Sequence, residues 1–192
     1  MAYEVVMIGA SAGGMDALKV IFSVLEKNFS LPIVVVQHIS PQSENYLVTY
    51  LHSRTALTVK EAVDKEKAVA GTVYVCPPNY HLLMEEDKTL SLGAFEKVNF
   101  SRPSIDVLFE TGALAFKKEA IGVLLTGASR DGTYGMGMIH SLGGMTVVQD
   151  PDTAYVASMP QSAIQSTPID YVLPLNDIGP FLNTLSRAQV RK

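Results

Sequence analysis

The chain has 192 residues, 47% of them hydrophobic and 18% charged, a length and composition that predict a single folded domain over residues 1–192. Its 15 basic and 19 acidic residues leave a net charge of −4 without a basic cluster, which argues against nucleic acid or an anionic membrane as the main partner. No apolar run approaches the roughly 20 residues that span a bilayer, and the single cysteine, Cys76, cannot form an internal disulfide, so we expect a cytoplasmic protein without membrane insertion.

Short apolar runs alternate with segments of helical period in the first half of the chain. Strands are predicted at residues 3–9, 33–37, 58–62 and 72–76. Helices are predicted at about residues 15–26 and, from a cap at Ser43, to about residue 53. Residues 82–84 and 89–92 flank a polar turn and predict a small β-hairpin.

The second half continues this alternation. A helix is predicted to open at Pro103-Ser104, and two more are expected at about residues 133–142 and from a cap at Asn176 to about residue 188. Strands are predicted at residues 120–126, 145–149 and 171–175. Continuously apolar strands between helices predict an α/β fold with a single doubly wound, mostly parallel sheet, helices on both faces and the small hairpin.

Three residues with acyl-transfer chemistry follow predicted strands, where the sites of open parallel sheets form. These are Ser11, His38 and Asp131. A serine nucleophile, a histidine base and a carboxylate that orients the base are the parts of a catalytic triad. The sequence therefore predicts a hydrolytic site at the carboxyl edge of the sheet.

The loop Gly9-Ala10-Ser11-Ala12-Gly13-Gly14 matches G-x-S-x-G between a strand and a helix, a context that exposes a serine near backbone N–H donors. A phosphate-binding turn of a nucleotide-binding module is the alternative. The chain lacks G-x-G-x-x-G and the P-loop pattern, and its second strand ends in Gln37-His38 rather than in an acidic ribose ligand. The nucleophile is therefore favoured.

The other members of the site are less well defined by the residues alone. His81 is the reserve base, and Cys76 is better explained as a buried structural cysteine than as a nucleophile. Asp131 is expected to accept a hydrogen bond from His38 Nδ1–H, but it could also cap the next helix. Asp150, which also lies just past a strand, is a competing acid that the sequence barely separates from Asp131. No metal-ligand spacing occurs, so neither a metal nor another cofactor is expected.

Taken together, these motifs resemble the CheB catalytic domain family, the protein-glutamate methylesterases of bacterial chemotaxis. The resemblance is carried, in the order of the family, by VVMIGASAGG, VVVQHIS, VCPPNYHL, SRPSIDVLFE, VLLTGASRDGTYGM, VVQDPDTA, MPQSAI and VLPL. The order Ser…His…Asp also differs from the Ser…Asp…His of ordinary α/β-hydrolases.

The resemblance implies that Ser11 is the nucleophile, His38 the base and Asp131 the triad acid. It also implies an oxyanion hole formed by the backbone N–H groups of Ala12 and Ala128, where some members carry Thr and Met respectively. Ser158 replaces a glycine often found in the family. The implied reaction is hydrolysis of glutamate γ-methyl esters on chemoreceptors through an acyl-enzyme, with methanol released and glutamine deamidation permitted.

The resemblance further implies chemotaxis receptors as partners, and a regulatory protein or a methyltransferase is the further partner that it allows. Family members usually carry an N-terminal receiver domain, whereas here Met1 leads directly into the first strand, so we expect none in this chain and activity without a phosphoryl donor. The alternatives are a nucleotide- or ligand-binding α/β module and a catalytically weak scaffold that docks on receptors.

Overall fold

The computed structural model describes residues 3–38 and 46–190. The strands and α-helices follow one another along the chain as β1 (Val5–Ala10), α1 (Gly14–Ser23), β2 (Ile33–Gln37), α2 (Tyr46–His52), β3 (Thr58–Glu61), β4 (Thr72–Val75), β5 (His81–Met84), β6 (Leu90–Gly93), α3 (Ile105–Phe116), β7 (Ala120–Leu124), α4 (Thr133–Ser141), β8 (Met145–Gln149), α5 (Ser158–Ser166), β9 (Tyr171–Leu173) and α6 (Leu175–Val190).

Seven strands form one sheet in the order β3-β4-β2-β1-β7-β8-β9, and every neighbouring pair is parallel. Strands β5 and β6 form a separate antiparallel hairpin. The chain leaves β1 toward β2 on one side and later returns to β7 on the other. This change of direction makes the gap between β1 and β7 the topological switch point, where ligand sites of such sheets lie.

Both faces of the sheet are buried, because successive side chains of its apolar strands point to opposite sides. From β1, Val6 and Ile8 pack with α1, α2 and α6, whereas Val5 and Met7 pack with α3, α4, α5 and the hairpin. The predicted fold class is thereby confirmed. In the described parts of the chain, no helix is long and apolar enough to cross a bilayer.

The element bounds differ from prediction at a few places. Strand β7 ends before Thr126, because the Thr126 N–H donates to the Gln149 side chain (2.9 Å) instead of continuing the ladder. Helix α5 was not predicted, and proline, which it contains at Pro160, is typical of a helix break. Pro160 lies in the first turn of α5, where a missing N–H costs little. The predicted cap at Asn176 is wrong, because α6 already begins at Leu175, directly after Pro174. The predicted cap Ser43 lies outside the described residues.

Candidate active site

Ser11 and His38 are neighbours because the strands that precede them are neighbours. Strands β1 and β2 are in register with Ala10 beside Gln37, and the His38 N–H donates to Ala10 O at 2.9 Å. The residues that follow these two strands are therefore held side by side at the carboxyl edge of the sheet. The Ser11 hydroxyl lies 3.2 Å from His38 Nδ1, so this nitrogen can accept its proton.

Asp131 reaches the other side of the same imidazole ring. The loop after β7 places its Oδ2 at 2.8 Å from His38 Nε2. The prediction that Asp131 binds His38 Nδ1–H is therefore wrong in its choice of ring atom. Because Ser11 lies beside the backbone of His38, it meets the near nitrogen Nδ1, and the more distant carboxylate meets Nε2.

The carboxylate of Asp131 is fully buried and lies at the N-terminus of α3. It accepts hydrogen bonds from the Ile105 and Asp106 N–H groups (2.6 and 3.1 Å) and from the Ser104 hydroxyl (2.7 Å). These groups include the unpaired N–H donors of the first helical turn, which favour an anion. Asp131 therefore serves the N-terminus of α3 and not, as its sequence position also allowed, as a cap of α4.

Burial alone would raise the pKa of Asp131, but the hydrogen bonds that it accepts outweigh burial. The bond from His38 contributes most, followed by that from the Ile105 N–H, and the pKa is held below its usual range. Asp131 is therefore ionised, and it can keep the His38 proton on Nε2 so that Nδ1 is free to accept the proton of Ser11.

A second carboxylate, Asp106, lies beside Asp131 and is also buried. Burial, reinforced by the nearby charge of Asp131, raises the pKa of Asp106 to about 6, although the carboxylate accepts a hydrogen bond from the Gly135 N–H at 2.8 Å. The amide nitrogen of Asn99 joins the two acids, donating to Asp106 Oδ2 at 2.6 Å and to Asp131 Oδ1 at 3.1 Å. Asn99, Ser104 and Asp106 could not be recognised from the sequence, because no local pattern marks their contacts with Asp131, which lies 32, 27 and 25 residues away from them.

Two buried glutamines at strand ends hold the loops of the site. Gln37 Nε2 donates to the carbonyl oxygens of Ser11 and His38 at 2.8 and 2.9 Å. Gln149 Oε1 accepts the Thr126 N–H from the loop beyond β7. Sequence analysis did not assign them this role, although a polar residue that closes an apolar strand is a usable signal for it.

The loops after β1 and β7 touch each other beside Ser11. The Ser11 N–H donates to Thr126 O (3.0 Å), and the Gly127 N–H donates to Val156 O (3.0 Å). A Cβ atom at Gly127 would lie 2.9 Å from Ser11 Cβ, so only glycine permits this approach. By contrast, the backbone N–H groups of Ala12 and Ala128 have no hydrogen-bond partner among the described residues.

The competing candidates lie elsewhere. The Asp150 carboxylate accepts the Asp152 N–H (3.0 Å) in the turn after β8. His81, the reserve base, is fully buried: its Nε2 donates to Glu96 O (3.0 Å), its Nδ1 accepts the Ser104 N–H (3.2 Å), and burial lowers its pKa. Cys76 is buried, and burial raises the pKa of its thiol. The structure therefore joins Asp131, rather than Asp150, to His38 and makes His81 a packing residue.

A cavity of about 150 Å³ lies beside His38 and is also lined by Phe100 and Arg102. Small-molecule sites typically measure about 300–1,000 Å³, so this cavity suits the end of one side chain better than a nucleotide. Among residues 3–38 and 46–190, no group of three or more His, Cys, Asp or Glu side chains is placed to hold a metal ion.

The fold and the site together define a doubly wound α/β domain that carries a serine, a histidine and a buried aspartate in hydrogen-bond contact. The profile of the CheB methylesterase family matches residues 6–182. The chain therefore belongs to the CheB methylesterase family, which confirms the resemblance of its motifs and the prediction of an enzyme of this class.

Individual relatives agree with this assignment. The chain is 52% identical over 179 residues to a Leptospira interrogans protein named as a putative protein-glutamate methylesterase/protein-glutamine glutaminase, and the match covers 93% of each chain. It is 39% identical over 174 residues to the corresponding Thermotoga maritima protein, covering 89% of this chain but 51% of that protein. The crystal structure of the Thermotoga maritima CheB methylesterase catalytic domain superposes with a TM-score of 0.92 at 38% identity, covering 96% of this chain and all of that one.

Proposed function

We propose that the chain hydrolyses glutamate γ-methyl esters on the cytoplasmic helices of methyl-accepting chemotaxis receptors by serine catalysis. The observation that carries the proposal is the hydrogen-bonded chain of Ser11, His38 and Asp131. Ser11 Oγ lies 3.2 Å from His38 Nδ1, and His38 Nε2 lies 2.8 Å from Asp131 Oδ2. Family membership supports the substrate class, since the relatives are named for this ester.

In the acylation step, His38 Nδ1 accepts the Ser11 proton as Ser11 Oγ attacks the ester carbon. Asp131 accepts the Nε2–H and stabilises the imidazolium that forms. The N–H groups of Ala12 and Ala128 bind the oxyanion of the tetrahedral intermediate. The bond between carbon and methoxy oxygen then breaks, His38 returns the proton to that oxygen, and methanol leaves.

The acyl-enzyme is hydrolysed by the same groups in reverse. His38 Nδ1 accepts a proton from water, the hydroxide attacks the acyl carbon, and the Ser11 oxygen leaves with that proton. The product is a glutamate carboxylate. Glutamine deamidation follows the same path with ammonia as the leaving group, and the relatives are named for that reaction as well. Ammonia release from receptors that carry glutamine is its direct assay.

The first experiment measures methanol release from methylated receptor membranes by wild type, by Ser11→Ala and by Ser23→Ala, an exposed serine at the end of α1. We expect Ser11→Ala to lose on the order of 10⁴-fold or more in rate, as losses of triad members do, and Ser23→Ala to match wild type. Reaction of wild type, but not of Ser11→Ala, with a fluorophosphonate would identify the nucleophile independently. Equal rates for Ser11→Ala and wild type would contradict serine catalysis.

Receptor binding and thermal melting test the two alternative functions. Receptor binding that survives Ser11→Ala, without turnover by wild type, would favour a docking scaffold, and melting that depends on a nucleotide would favour a ligand-binding module. We further propose that the 192-residue chain hydrolyses the receptor ester without a phosphoryl donor or a second protein. An inactive chain that a partner activates would contradict this.

A further inference from the structure

A two-residue turn beside the site has an unusual residue at its tip. Val98 and Ser101 pair through two backbone hydrogen bonds of 3.1 and 2.9 Å, N–H to carbonyl in each direction. The residues between them, Asn99 and Phe100, have φ angles of 49° and 61°. Two successive left-handed residues are the pattern of a type I′ turn, for which Asn followed by Gly is the preferred sequence.

Phe100 thus occupies a position that favours glycine. A β-carbon in the left-handed region is strained, and burial of the ring could offset that strain. The side chain of Phe100 is instead 97% exposed, the most exposed of the large apolar residues in the described parts of the chain. Neither backbone geometry nor packing within the chain accounts for a phenylalanine here. A local rule broken without internal compensation is typical of a functional position.

The turn is fixed to the catalytic residues at its other central position. The Asn99 amide donates to Asp131 and Asp106, so the tip cannot move independently of the triad acid. Phe100 and His38 line the same cavity. The backbone of Phe100 is therefore tied to the site by a short, hydrogen-bonded connection, which keeps the ring beside the cavity.

Positive charge surrounds the same cavity, which Lys97 and Arg102 also line. Neither side chain pairs with a carboxylate among the described residues. Arg102 is held in place by its own hydrogen bonds, because Nη1 donates to Ala94 O and Phe95 O at 3.1 and 2.8 Å. An exposed aromatic ring with two cations beside it matches an apolar surface bordered by carboxylates.

The cavity itself is too small to bind a substrate tightly, since about 150 Å³ admits little more than one side chain. Most of the binding free energy must therefore come from the substrate protein outside the cavity. Exposed aromatic residues at the centre of an interface commonly supply a large share of it.

We propose that Phe100 is a docking residue that inserts between apolar side chains of the receptor surface next to the glutamyl ester, and that Lys97 and Arg102 face carboxylates of that surface. This inference rests on the proposed function, and it assigns the substrate contact to the turn of residues 98–101. It predicts that the ring contributes to substrate affinity and not to the chemical step.

The decisive variant is Phe100→Gly, which creates the Asn-Gly sequence that the turn prefers. We expect its Tm to rise, because the backbone strain disappears, whereas KM for methylated receptor membranes rises about tenfold with little change in kcat, as for loss of an interface anchor. Phe100→Tyr keeps the ring and should restore the KM of wild type. A change that stabilises the fold but weakens substrate binding separates docking from a structural role.

Tyr171→Ala is the matched control, because Tyr171 is a 40% exposed aromatic residue at the start of β9. It lies at the amino-terminal ends of the parallel strands, whereas the site lies at their carboxyl ends. Its KM should equal that of wild type. The labelling rate of Ser11 by a fluorophosphonate should be unchanged in Phe100→Gly, since that reaction needs the triad and not the receptor.

Three results would overturn the inference. The first is a KM of Phe100→Gly within twofold of wild type, and the second is a fall in its fluorophosphonate labelling rate as large as the rise in its KM. The third is a failure of wild type to co-sediment with receptor membranes. Co-sedimentation also separates this inference from the proposed function. If wild type binds receptor membranes without releasing methanol and Phe100→Gly binds them more weakly, the docking role stands and the esterase proposal fails.

Discussion

At the scale of single residues, the orientation of one imidazole ring decides how the site can act. His38 directs Nδ1 at Ser11 and Nε2 at Asp131, at 3.2 and 2.8 Å. Because the Asp131 carboxylate can only accept, it fixes the His38 proton on Nε2 and leaves the lone pair of Nδ1 facing the serine. The buried acid therefore prepares the base before any substrate binds.

This arrangement predicts the effect of Asp131→Asn. An amide nitrogen at the position of Oδ2 would donate toward His38 Nε2 and move the ring proton to Nδ1, where it blocks acceptance of the Ser11 proton. We expect kcat for methanol release to fall about 10⁴-fold, the loss that the corresponding change causes in a serine protease. The free energy of unfolding should also fall by about 1–3 kcal/mol, because the Ile105 N–H loses its buried acceptor.

Asp150→Asn provides the comparison, since Asp150 is the acid that the sequence could not separate from Asp131. Steady-state kinetics and urea unfolding of both variants test the assignment. The variant Asp150→Asn should retain activity, and equal losses from the two changes would show that the Asp131–His38 bond does not orient the base.

The sequence was sufficient for the residues that follow strands and insufficient for those that support them. Ser11, His38 and Asp131 are candidates because each lies in the loop that follows a predicted strand. The structure brings all three together. The ring atom of His38 and the contacts of Asn99 depend on side-chain directions across the sheet. No periodicity or spacing encodes those directions.

At the scale of elements, the N-terminus of α3 brings together two carboxylates whose pKa values are shifted in opposite directions. Asp131 lies just before the first turn, accepts its N–H groups and has a lowered pKa. Asp106 lies within the first turn, is buried beside Asp131 and has a pKa raised to about 6. Hydrogen bonds therefore lower the pKa of the triad acid, whereas burial and the nearby charge of Asp131 raise the pKa of Asp106.

The raised pKa makes Asp106 a source of pH-dependent instability. Its protonated form is favoured in the fold, so its stabilising contribution is present below the unfolded pKa of about 3.9 and is lost as the pH rises through about 6. We predict that the free energy of unfolding of Asp106→Asn, relative to wild type, increases by roughly 2–3 kcal/mol between pH 4 and 7, since one pKa unit corresponds to about 1.4 kcal/mol.

Urea unfolding across this pH range measures the difference directly. Asp152→Asn, at an exposed carboxylate, should run parallel to wild type. A difference between Asp106→Asn and wild type that stays constant from pH 4 to 7 would show that Asp106 does not titrate in this range in the fold.

The elements themselves could be predicted where their hydrophobic pattern was strong. The bounds of β2 and β8 match the prediction, because both are short runs rich in buried β-branched residues and both end in a glutamine. Helix α5 was not recognisable, since it buries little more than Met159, Pro160 and Ala163 and contains a proline. A short helix with so small an apolar face has no distinctive period.

At the scale of the whole molecule, the sequence predicts a sheet covered on both faces but not the order of its strands. β4 lies between β3 and β2, with Val73 beside both Val59 and Ile33. Any parallel neighbour would bury these valines and isoleucines equally well, so the hydrophobic pattern alone cannot distinguish the arrangements. The strand order depends instead on how the connecting loops and helices pack against one another in three dimensions.

The only cysteine reports on the cooperativity of this assembly. Cys76 follows β4 and is buried in the cluster beneath α3 and the hairpin, where its N–H donates to Val35 O (2.9 Å) and its thiol lies 3.4 Å from Tyr80 O. Burial raises the pKa of the thiol, and the reactive species is the thiolate. Exposure of Cys76 therefore requires the layers on that face of the sheet to separate.

We predict that iodoacetamide modifies Cys76 only through global unfolding. For a stability of about 5–15 kcal/mol, modification in native buffer should be slower than in the unfolded chain by at least about 10³-fold, and the rate should rise with guanidinium concentration in proportion to the unfolded fraction followed by circular dichroism. A variant with both Cys76→Ala and Ser23→Cys carries its thiol on an exposed helix end and should react rapidly in native buffer. Equally rapid modification of wild type, with an unchanged circular dichroism spectrum, would mean that α3 and the hairpin open from the sheet locally, and the site attached to the N-terminus of α3 would then open with them.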